Sequence, residues 1–326
     1  MAQSAVPFFS VVIPVFNRAD ALKVALQSVL AQSDQDFEIV VVDDGSEDDP
    51  KSVIDAVADP RIRYRRQANK GGGAARNTGI DLARGQFIAF LDSDDQFLPN
   101  HLKTMRALLA GMKDTVGYAR MMVDRGEGRI ILKPPRAITP DEHMATYLLC
   151  DRGFVPTITV VAPAHWARTI RYHEALPSSE DTDFAIRLFL AGCRFVMAEE
   201  AGAVWNDVPD PRRISAGRKG AELKAWIETL RPAIPERAYY GCLGWNYAKH
   251  VAMTSRWRAL GLYADALRHR AYRPPLAAIV FLQIFLPDRV YRAIADGAIA
   301  WLRAGLRPGA EAARKATVPG ANPKRA

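Results

Sequence analysis

The chain has 326 residues, of which 49% are hydrophobic and 25% are charged, and its formal net charge is +8. The length is enough for one large domain or two smaller ones. The composition is typical of a globular protein, whose hydrophobic core needs no disulfide bonds to be stable. The three cysteines, Cys150, Cys193 and Cys242, are odd in number and far apart. This excludes a cysteine metal site and predicts reduced thiols in a reducing compartment.

The excess positive charge belongs to the C-terminal end of the sequence. Residues 256–326 contain 13 Lys or Arg and 4 Asp or Glu, whereas residues 1–255 contain 31 Lys or Arg and 32 Asp or Glu. This distribution argues against nucleic acid as a partner and favours an anionic surface at one end. The N-terminus lacks a basic stretch followed by an apolar core, so we expect no secretory signal peptide.

Strands and helices alternate along the first part of the sequence. Apolar, β-branched runs predict strands over residues 9–15, 37–42 and 87–91, and a further strand is predicted over residues 62–66. Helices are predicted over residues 19–31, 50–57, 74–83 and 99–110. This order predicts an α/β fold, with a mostly parallel sheet covered by helices on both faces.

The second part of the sequence is mixed and then helical. Strands are predicted near residues 116–123, 130–132 and 157–162, and a helix over 181–191. The apolar run 276–286 is shorter than the ~20 residues that a membrane span needs. We predict a catalytic domain over 1–220, a helical region over 221–310 and a disordered tail over 311–326.

An acidic cluster directly follows the apolar strand 87–91. Its residues are Asp92, Ser93, Asp94 and Asp95. Crowded carboxylates at a strand end are costly unless a cation neutralises them. Hard oxygen ligands suit Mg²⁺ or Mn²⁺, with a substrate diphosphate completing the shell. The alternative is a solvated acidic turn, since the Asp-x-Asp spacing recurs at 34–36 and 181–183.

A second acidic pair, Asp43 and Asp44, follows the strand 37–42. Two acidic clusters at carboxyl ends of strands are typical of ligand sites in open α/β sheets. The alternative is a plain strand–helix turn in which Ser46 caps the helix.

A glycine-rich loop over residues 69–79 leads into a predicted helix. Its backbone N–H groups, with Lys70, Gly71 and Arg76, are suited to an anion. The spacing excludes a Walker loop and a dinucleotide fingerprint. The alternative is an ordinary loop and helix N-terminus.

Five segments together resemble an inverting family 2 glycosyltransferase of GT-A fold, of the kind found in bacterial polysaccharide biosynthesis. They are residues 11–17 (VVIPVFN), 41–46 (VVDDGS), 69–79 (NKGGGAARNTG), 91–95 (LDSDD) and 179–184 (SEDTDF). The resemblance covers residues 10–190. It implies a nucleotide-sugar donor, Mn²⁺ or Mg²⁺ as cofactor, and net inversion at the anomeric carbon.

The resemblance also implies roles for individual residues. Pro14 and Phe16 would pack on the nucleobase, although Phe16 could equally be a core residue. Asp44 would accept the N3–H of uracil. Asp92 and Ser93 would contact the ribose or metal-bound water, and Asp94 would be the direct metal ligand.

Asp181 is the predicted catalytic base. It begins a helix whose dipole should keep it ionised at neutral pH. It would accept the proton of the acceptor hydroxyl as that oxygen attacks the sugar. Glu180 and Asp183 are competitors, and a purely structural helix-capping role is the alternative.

Two family features are missing from the sequence. Many relatives carry a histidine after this helix that completes the metal shell, but residues 204–215 contain none. Processive synthases carry a Q/R-x-x-R-W motif, and the nearest stretch, MTSRW at 253–257, lacks its first polar residue. This predicts a non-processive enzyme that adds one sugar.

The predicted protein is a cytoplasmic glycosyltransferase. It transfers one sugar from a nucleotide-sugar donor, by preference a UDP-sugar, to a polysaccharide or lipid-linked saccharide. Peripheral attachment to the inner face of the plasma membrane is weighed evenly against a helical subdomain or dimer face for the C-terminal region. One rival is a sugar-1-phosphate nucleotidyltransferase, which needs an Arg-containing glycine loop where this chain has residues 16–20, FNRAD. The other is an inactive scaffold, disfavoured by the intact Asp44, Asp94 and Asp181.

Overall fold

The computed structural model describes residues 6–126, 129–176, 179–207, 220–287 and 289–291. Its first half alternates strands and helices close to the predicted bounds. The strands are β1 (Phe9–Val15), β2 (Phe37–Asp43), β3 (Ile62–Arg66) and β4 (Phe87–Phe90). The helices between them are α1 (Ala19–Leu30), α2 (Pro50–Val57) and α3 (Gly72–Leu82).

The middle of the chain departs further from the prediction. It contains β5 (Gln96–Phe97), α4 (His101–Leu109), β6 (Thr115–Asp124), β7 (Ile130–Lys133), α5 (Met144–Cys150), β8 (Val161–Pro163), α6 (Ala164–Ile170), α7 (Glu180–Leu190) and β9 (Arg194–Asn206). The strand predicted over 157–162 is wrong in its first half. Thr157–Thr159 is a 3₁₀ turn, in which the Thr159 hydroxyl donates to the carbonyl of Ala119 at 2.9 Å.

The remaining described residues are helical, as predicted. They form α8 (Gly220–Leu230), α9 (Glu236–Cys242), a π-helical turn (Leu243–Tyr247), α10 (Ala248–Val251), α11 (Arg256–Arg268) and α12 (Pro274–Phe285). Residues Met1–Arg273 form one unit, and Pro274–Ala326 another. No helix within the described ranges is long and apolar enough to cross a bilayer. The domain boundary at residue 220 stays a prediction, and the tail 311–326 lies outside the described residues.

One mixed sheet positions the site. Its nine strands, counted over the described residues, run in the order β3-β2-β1-β4-β8-β6-β9-β5, with β7 beside β6. β1 pairs in parallel with β2 and β4, and β2 with β3. β8 is antiparallel to β4 and β6, whereas β9 is parallel to β6. Because β1, β2 and β4 are parallel neighbours, their carboxyl ends meet at one edge, where open α/β sheets bind ligands.

The parallel strands β1, β2 and β4 are buried on both faces, which is why they appear in the sequence as continuous apolar runs, whereas the edge strand β3 is only partly buried. Every residue of β2 and of β4 is buried. Helix α1 packs Leu22, Leu26 and Val29 into the same core. Helix α3 approaches β1 so closely that a Cβ added at Gly79 would lie 2.3 Å from Cγ1 of Val12.

This close approach makes Gly79→Ala a sharp test of the packing. Alanine usually favours a helix over glycine by about 1 kcal/mol. Here the added methyl group would overlap the fully buried side chain of Val12. Overpacking of this kind costs roughly 1–3 kcal/mol. We therefore expect a lower free energy of unfolding in urea for Gly79→Ala.

Gly261→Ala is the matched control. Gly261 lies in α11, and no atom is within 4 Å of a Cβ added there. This variant should be neutral or slightly more stable. Equal stability of Gly79→Ala and the wild type would contradict the packing of α3 on β1.

Candidate active site

A cleft of about 750 Å³ opens at the carboxyl edge of β1, β2 and β4. Every site residue predicted from the sequence lines it. These residues are Pro14, Phe16, Asp44, Lys70, Gly71, Arg76, Asp92, Ser93, Asp94 and Asp181. The fold thus brings together residues that are more than 160 positions apart in the sequence.

The end of β1 forms one wall of the cleft. Pro14 and Phe16 are both half-buried and line the opening. Phe16 is therefore not enclosed in the core, which was the alternative for this residue. An aromatic ring with one free face is suited to stacking on a planar base.

Asp44 fixes the glycine-rich loop. It is 3% exposed, and its carboxylate accepts hydrogen bonds from the backbone N–H groups of Lys70 at 3.0 Å and Gly71 at 2.7 Å. The Gln67 side chain donates a third at 2.8 Å. Gly71 has φ +91°, a conformation that L side chains rarely adopt. Asp44 thus anchors the loop, whatever contact it makes with a base.

The neighbouring carboxylate of Asp43 is structural. It is fully buried and accepts from the backbone N–H of Ser46 at 2.8 Å and the Tyr64 hydroxyl at 2.6 Å. It does not line the cleft. Of the acidic pair, only Asp44 faces the ligand side.

Arg76 connects two acidic segments. Its guanidinium is paired with Asp92, at 2.6 Å, and with Glu180, and it lies over the ring of Tyr172, 5.3 Å from the centroid. Burial lowers the pKa of Arg76, but the two carboxylates outweigh this and raise it. The positive charge of Arg76, which was expected to bind an anionic ligand, is thus neutralised by the carboxylates of Asp92 and Glu180.

Arg18 is a site residue that the sequence reasoning missed. Its guanidinium is paired with Asp94, the predicted metal ligand, and it lines the same cleft. Arg18 occupies the N-cap position of α1, directly beyond β1. The one sequence feature that could have identified Arg18 was its position just after β1, whose carboxyl end lies at the same sheet edge as the acidic cluster.

The acidic cluster fits a divalent cation only in part. Asp92 and Asp94 supply hard oxygen atoms, but each is paired with an arginine. Among the described residues, no group of three His, Cys, Asp or Glu side chains could hold a metal ion. Mg²⁺ is commonly held by one or two carboxylates together with substrate phosphates and water, so Asp92 and Asp94 suffice in kind. Residues 208–215, where the family's histidine is missing, lie outside the described residues.

Asp95 lines the cleft but also has a structural contact. It is buried, and its carboxylate accepts from the backbone N–H of Asn206 at 3.0 Å. Asp95 therefore ties the acidic cluster to the end of β9.

Asp181 lies in the first turn of α7 and lines the cleft. Its carboxylate accepts from the backbone N–H of Thr182 at 2.7 Å. Burial raises the pKa of Asp181 to about 6, and the nearby Glu180 and Asp92 carboxylates add to the shift. Burial thus acts against the helix dipole, but a carboxyl with this pKa is still mostly ionised at pH 7, as expected for this residue.

The two competing acids have other partners. Glu180 is paired with Arg76. Asp183 is 1% exposed and accepts from Nε1 of Trp226 and Nε of Arg187, each at 2.8 Å. Asp183 is therefore a packing residue that binds α7 to α8. Asp181 is the acid of this segment that remains oriented to the cleft without a described ion pair.

Comparisons with known proteins agree with this geometry. Residues 10–169 match the family model "Glycosyl transferase family 2". The amylovoran biosynthesis glycosyltransferase AmsB of Erwinia amylovora is 28% identical over 71% of this chain and 80% of its own length. The succinoglycan biosynthesis protein ExoO of Rhizobium meliloti is 44% identical over 62% of this chain and 61% of its own. Other curated relatives are matched over about a third of their length.

Solved structures support the fold. S. aureus TarS 1–349 in complex with UDP-GlcNAc aligns with a TM-score of 0.60 at 19% identity, over 84% of this chain and 86% of that 1–349 chain. The mannosyltransferase PcManGT of Pyrobaculum calidifontis, in complex with GDP-Man and Mn²⁺, aligns with a TM-score of 0.54 at 15% identity, over 89% of this chain and 87% of that chain.

The predicted α/β architecture is confirmed as the GT-A fold. The relatives are bacterial polysaccharide-biosynthesis proteins, as the motifs indicated. The chain is a glycosyltransferase, and its residues 10–169 match glycosyltransferase family 2.

Proposed function

We propose that this glycosyltransferase is inverting and non-processive, and that it moves one sugar from a UDP-sugar to a polysaccharide or lipid-linked saccharide acceptor. The observation that carries the proposal is the single cleft that holds both Asp94, beyond β4, and Asp181, at the start of α7. Asp94 would hold the cation that neutralises the leaving diphosphate, and Asp181 would accept the proton of the attacking hydroxyl.

The donor would enter along the ends of β1 and β2. Phe16 and Pro14 offer an apolar surface for the base, and Asp44 holds the adjoining glycine loop in place. The solved relatives carry different nucleotides, UDP-GlcNAc in TarS and GDP-Man in PcManGT. UDP is our choice because Asp44 is suited to accept the N3–H of uracil.

Asp94, together with Asp92, would hold Mn²⁺ or Mg²⁺. Such an ion, when bound, neutralises the charge that develops on the diphosphate as the sugar leaves. The protein's own part is to keep these carboxylates together at the strand end, where Arg76 pairs with Asp92 and Arg18 pairs with Asp94.

Asp181 would act on the acceptor. Its carboxylate accepts the proton of an acceptor hydroxyl while that oxygen attacks the anomeric carbon and the bond to the diphosphate breaks. Attack from the face opposite the leaving group inverts the anomeric centre. Burial raises the pKa of Asp181 to about 6, which makes it a stronger base than an ordinary aspartate and leaves it ionised at neutral pH.

Removal of the metal tests the role of Asp94. Excess EDTA should abolish hydrolysis of a UDP-sugar donor, and added Mn²⁺ or Mg²⁺ should restore it. Asp94→Ala should lose metal-dependent UDP binding in isothermal titration calorimetry. Asp55→Ala, which removes an exposed acid paired only with Lys51 among described ion pairs, is the control and should bind normally. Full activity in EDTA would contradict the proposal.

Asp181→Asn tests the base. We expect transfer to fall by at least about 10² while donor affinity changes little, since the proton acceptor is lost but the donor contacts remain. In the wild type, transfer should fall as the pH drops through about 6, where Asp181 becomes protonated. Stopped assays across pH 5–8 with a saccharide acceptor measure both effects.

Asp183→Asn is the matched control for this variant. It should lower thermal stability, because the Arg187 and Trp226 contacts depend on a buried carboxylate. Asp181→Asn should not, because a raised carboxyl pKa means that the ionised form costs stability at neutral pH. Near-normal transfer by Asp181→Asn would move the catalytic role to Glu180.

We also propose peripheral attachment to an anionic membrane surface. The sequence also predicts an amphipathic segment over residues 290–306, which lies mostly outside the described residues, so the support comes from α11. Trp257 is 80% exposed, and Leu260 and Leu267 are exposed on the same face of that helix. Arg256 and Arg258 are exposed beside them. An apolar stripe flanked by arginines is typical of helices that bind anionic bilayers.

Vesicle sedimentation tests this attachment. The full chain should bind phosphatidylglycerol vesicles, bind phosphatidylcholine vesicles poorly, and bind less in high salt. Combining Trp257→Ser with Leu260→Ser should reduce binding by at least about tenfold, since full burial of even one such side chain contributes about 1.5–3 kcal/mol.

The control combines Val24→Ser with Met112→Ser, two comparably exposed apolar residues outside α11. It should sediment like the wild type. Equal sedimentation of both double variants would show that α11 does not contact the membrane.

A further inference from the structure

We propose that Arg18 is a ligand of the donor diphosphate, and that without donor it occupies the place of the metal by pairing with Asp94. On binding of a metal–nucleotide pair, Arg18 would exchange its carboxylate partner for a phosphate oxygen. This inference rests on the proposed function and adds a residue that neither the motifs nor the family match identifies.

The contact that carries the inference is the Arg18–Asp94 ion pair. Both side chains line the cleft, and both retain access to solvent, at 15% and 26% exposure. Because Asp94 Oδ2 is held by Arg18, a cation that binds this oxygen must displace the guanidinium. The two cations therefore compete for one carboxylate.

Arg76 provides the internal comparison. It is more deeply buried, has two carboxylate partners and packs on the Tyr172 ring. Arg18 has one acidic partner among the described ion pairs. Arg76 is thus fixed as a bridge, whereas Arg18 can change partner at the loss of a single contact.

The position of Arg18 favours a phosphate as the second partner. It lies just beyond β1, beside the proposed base-binding residues Pro14 and Phe16, and opposite the acidic cluster at the end of β4. A planar guanidinium binds phosphate oxygens with two parallel N–H groups. A diphosphate that bridges from the base to a metal on Asp94 would pass within reach of this side chain.

The exchange also keeps the acidic cluster neutralised at every stage. Without donor, Arg18 compensates Asp94 and Arg76 compensates Asp92. With donor, Arg18 would leave Asp94 free to hold a divalent ion, and the released guanidinium would meet the incoming negative charge. No stage leaves crowded carboxylates without a counter-charge.

Titration of Mn²⁺ and UDP into wild type and Arg18→Gln separates the two partners of Arg18. Without nucleotide, Arg18→Gln should bind Mn²⁺ up to about fivefold more tightly by electron paramagnetic resonance, since a partly exposed ion pair no longer competes. In the presence of Mn²⁺, the same variant should bind UDP about tenfold more weakly, because a charged hydrogen bond to phosphate is lost. Its affinity for uridine should be unchanged.

Two further variants make the result specific. Arg18→Lys keeps the charge without the planar fork, so it should recover only part of the UDP affinity and should hold Mn²⁺ affinity near that of the wild type. Arg65→Gln removes an exposed arginine that does not line the cleft, and both affinities should stay unchanged. Thermal melting of each variant identifies any loss of folding.

The opposite outcomes are distinct. A wild type that binds Mn²⁺ and UDP, with Arg18→Gln indistinguishable from it, overturns this inference and leaves the proposed function intact. A wild type that binds neither ligand overturns the proposed function, and the inference with it. Weaker uridine binding by Arg18→Gln would also overturn the inference, because it would place Arg18 on the base instead of the diphosphate.

Discussion

The buried guanidinium of Arg76 is the contact on which the cleft depends. It pairs with Asp92, beyond β4, and with Glu180, the first residue of α7. Two elements that are far apart in the sequence are thereby held against each other by charge. Removing one partner of a buried pair is costly because it leaves the other uncompensated. Asp181 follows Glu180, so the same bridge also determines where the proposed base lies.

Asp44 plays a comparable part on the other wall. Its carboxylate receives two backbone N–H groups from the glycine loop and one side-chain donor. The loop would otherwise need to find its conformation when a ligand arrives. Fixing it in advance reduces that entropic cost, which is how folded sites achieve precise geometry. Both walls of the cleft are therefore held by carboxylates that do structural work beside any contact with a ligand.

Three acids in one short segment illustrate how environment sets role. Glu180 is neutralised by Arg76, and Asp183 is enclosed by Arg187 and Trp226. Asp181 lies between them, and burial raises its pKa to about 6. The chemistry of the three side chains is nearly identical, so their separation into bridge, packing residue and candidate base comes from their partners. Pairs of titratable groups with divergent environments are typical of sites that perform acid–base chemistry.

The sequence by itself predicted the strands β1 to β4, the helices between them and, through the family motifs, ten of the residues that line the cleft. It could do so because the buried strands β1, β2 and β4 are continuous apolar runs, and because the carboxyl ends of parallel strands must share one edge. It did not determine β9 or the break before β8, since these strands are set by pairing with β6 instead of by local periodicity. The contacts of Arg18 and Asp183 were likewise decided by the tertiary structure. Their partners, Asp94 and Trp226, are 76 and 43 residues away, and no local pattern encodes an ion pair or hydrogen bond at that separation.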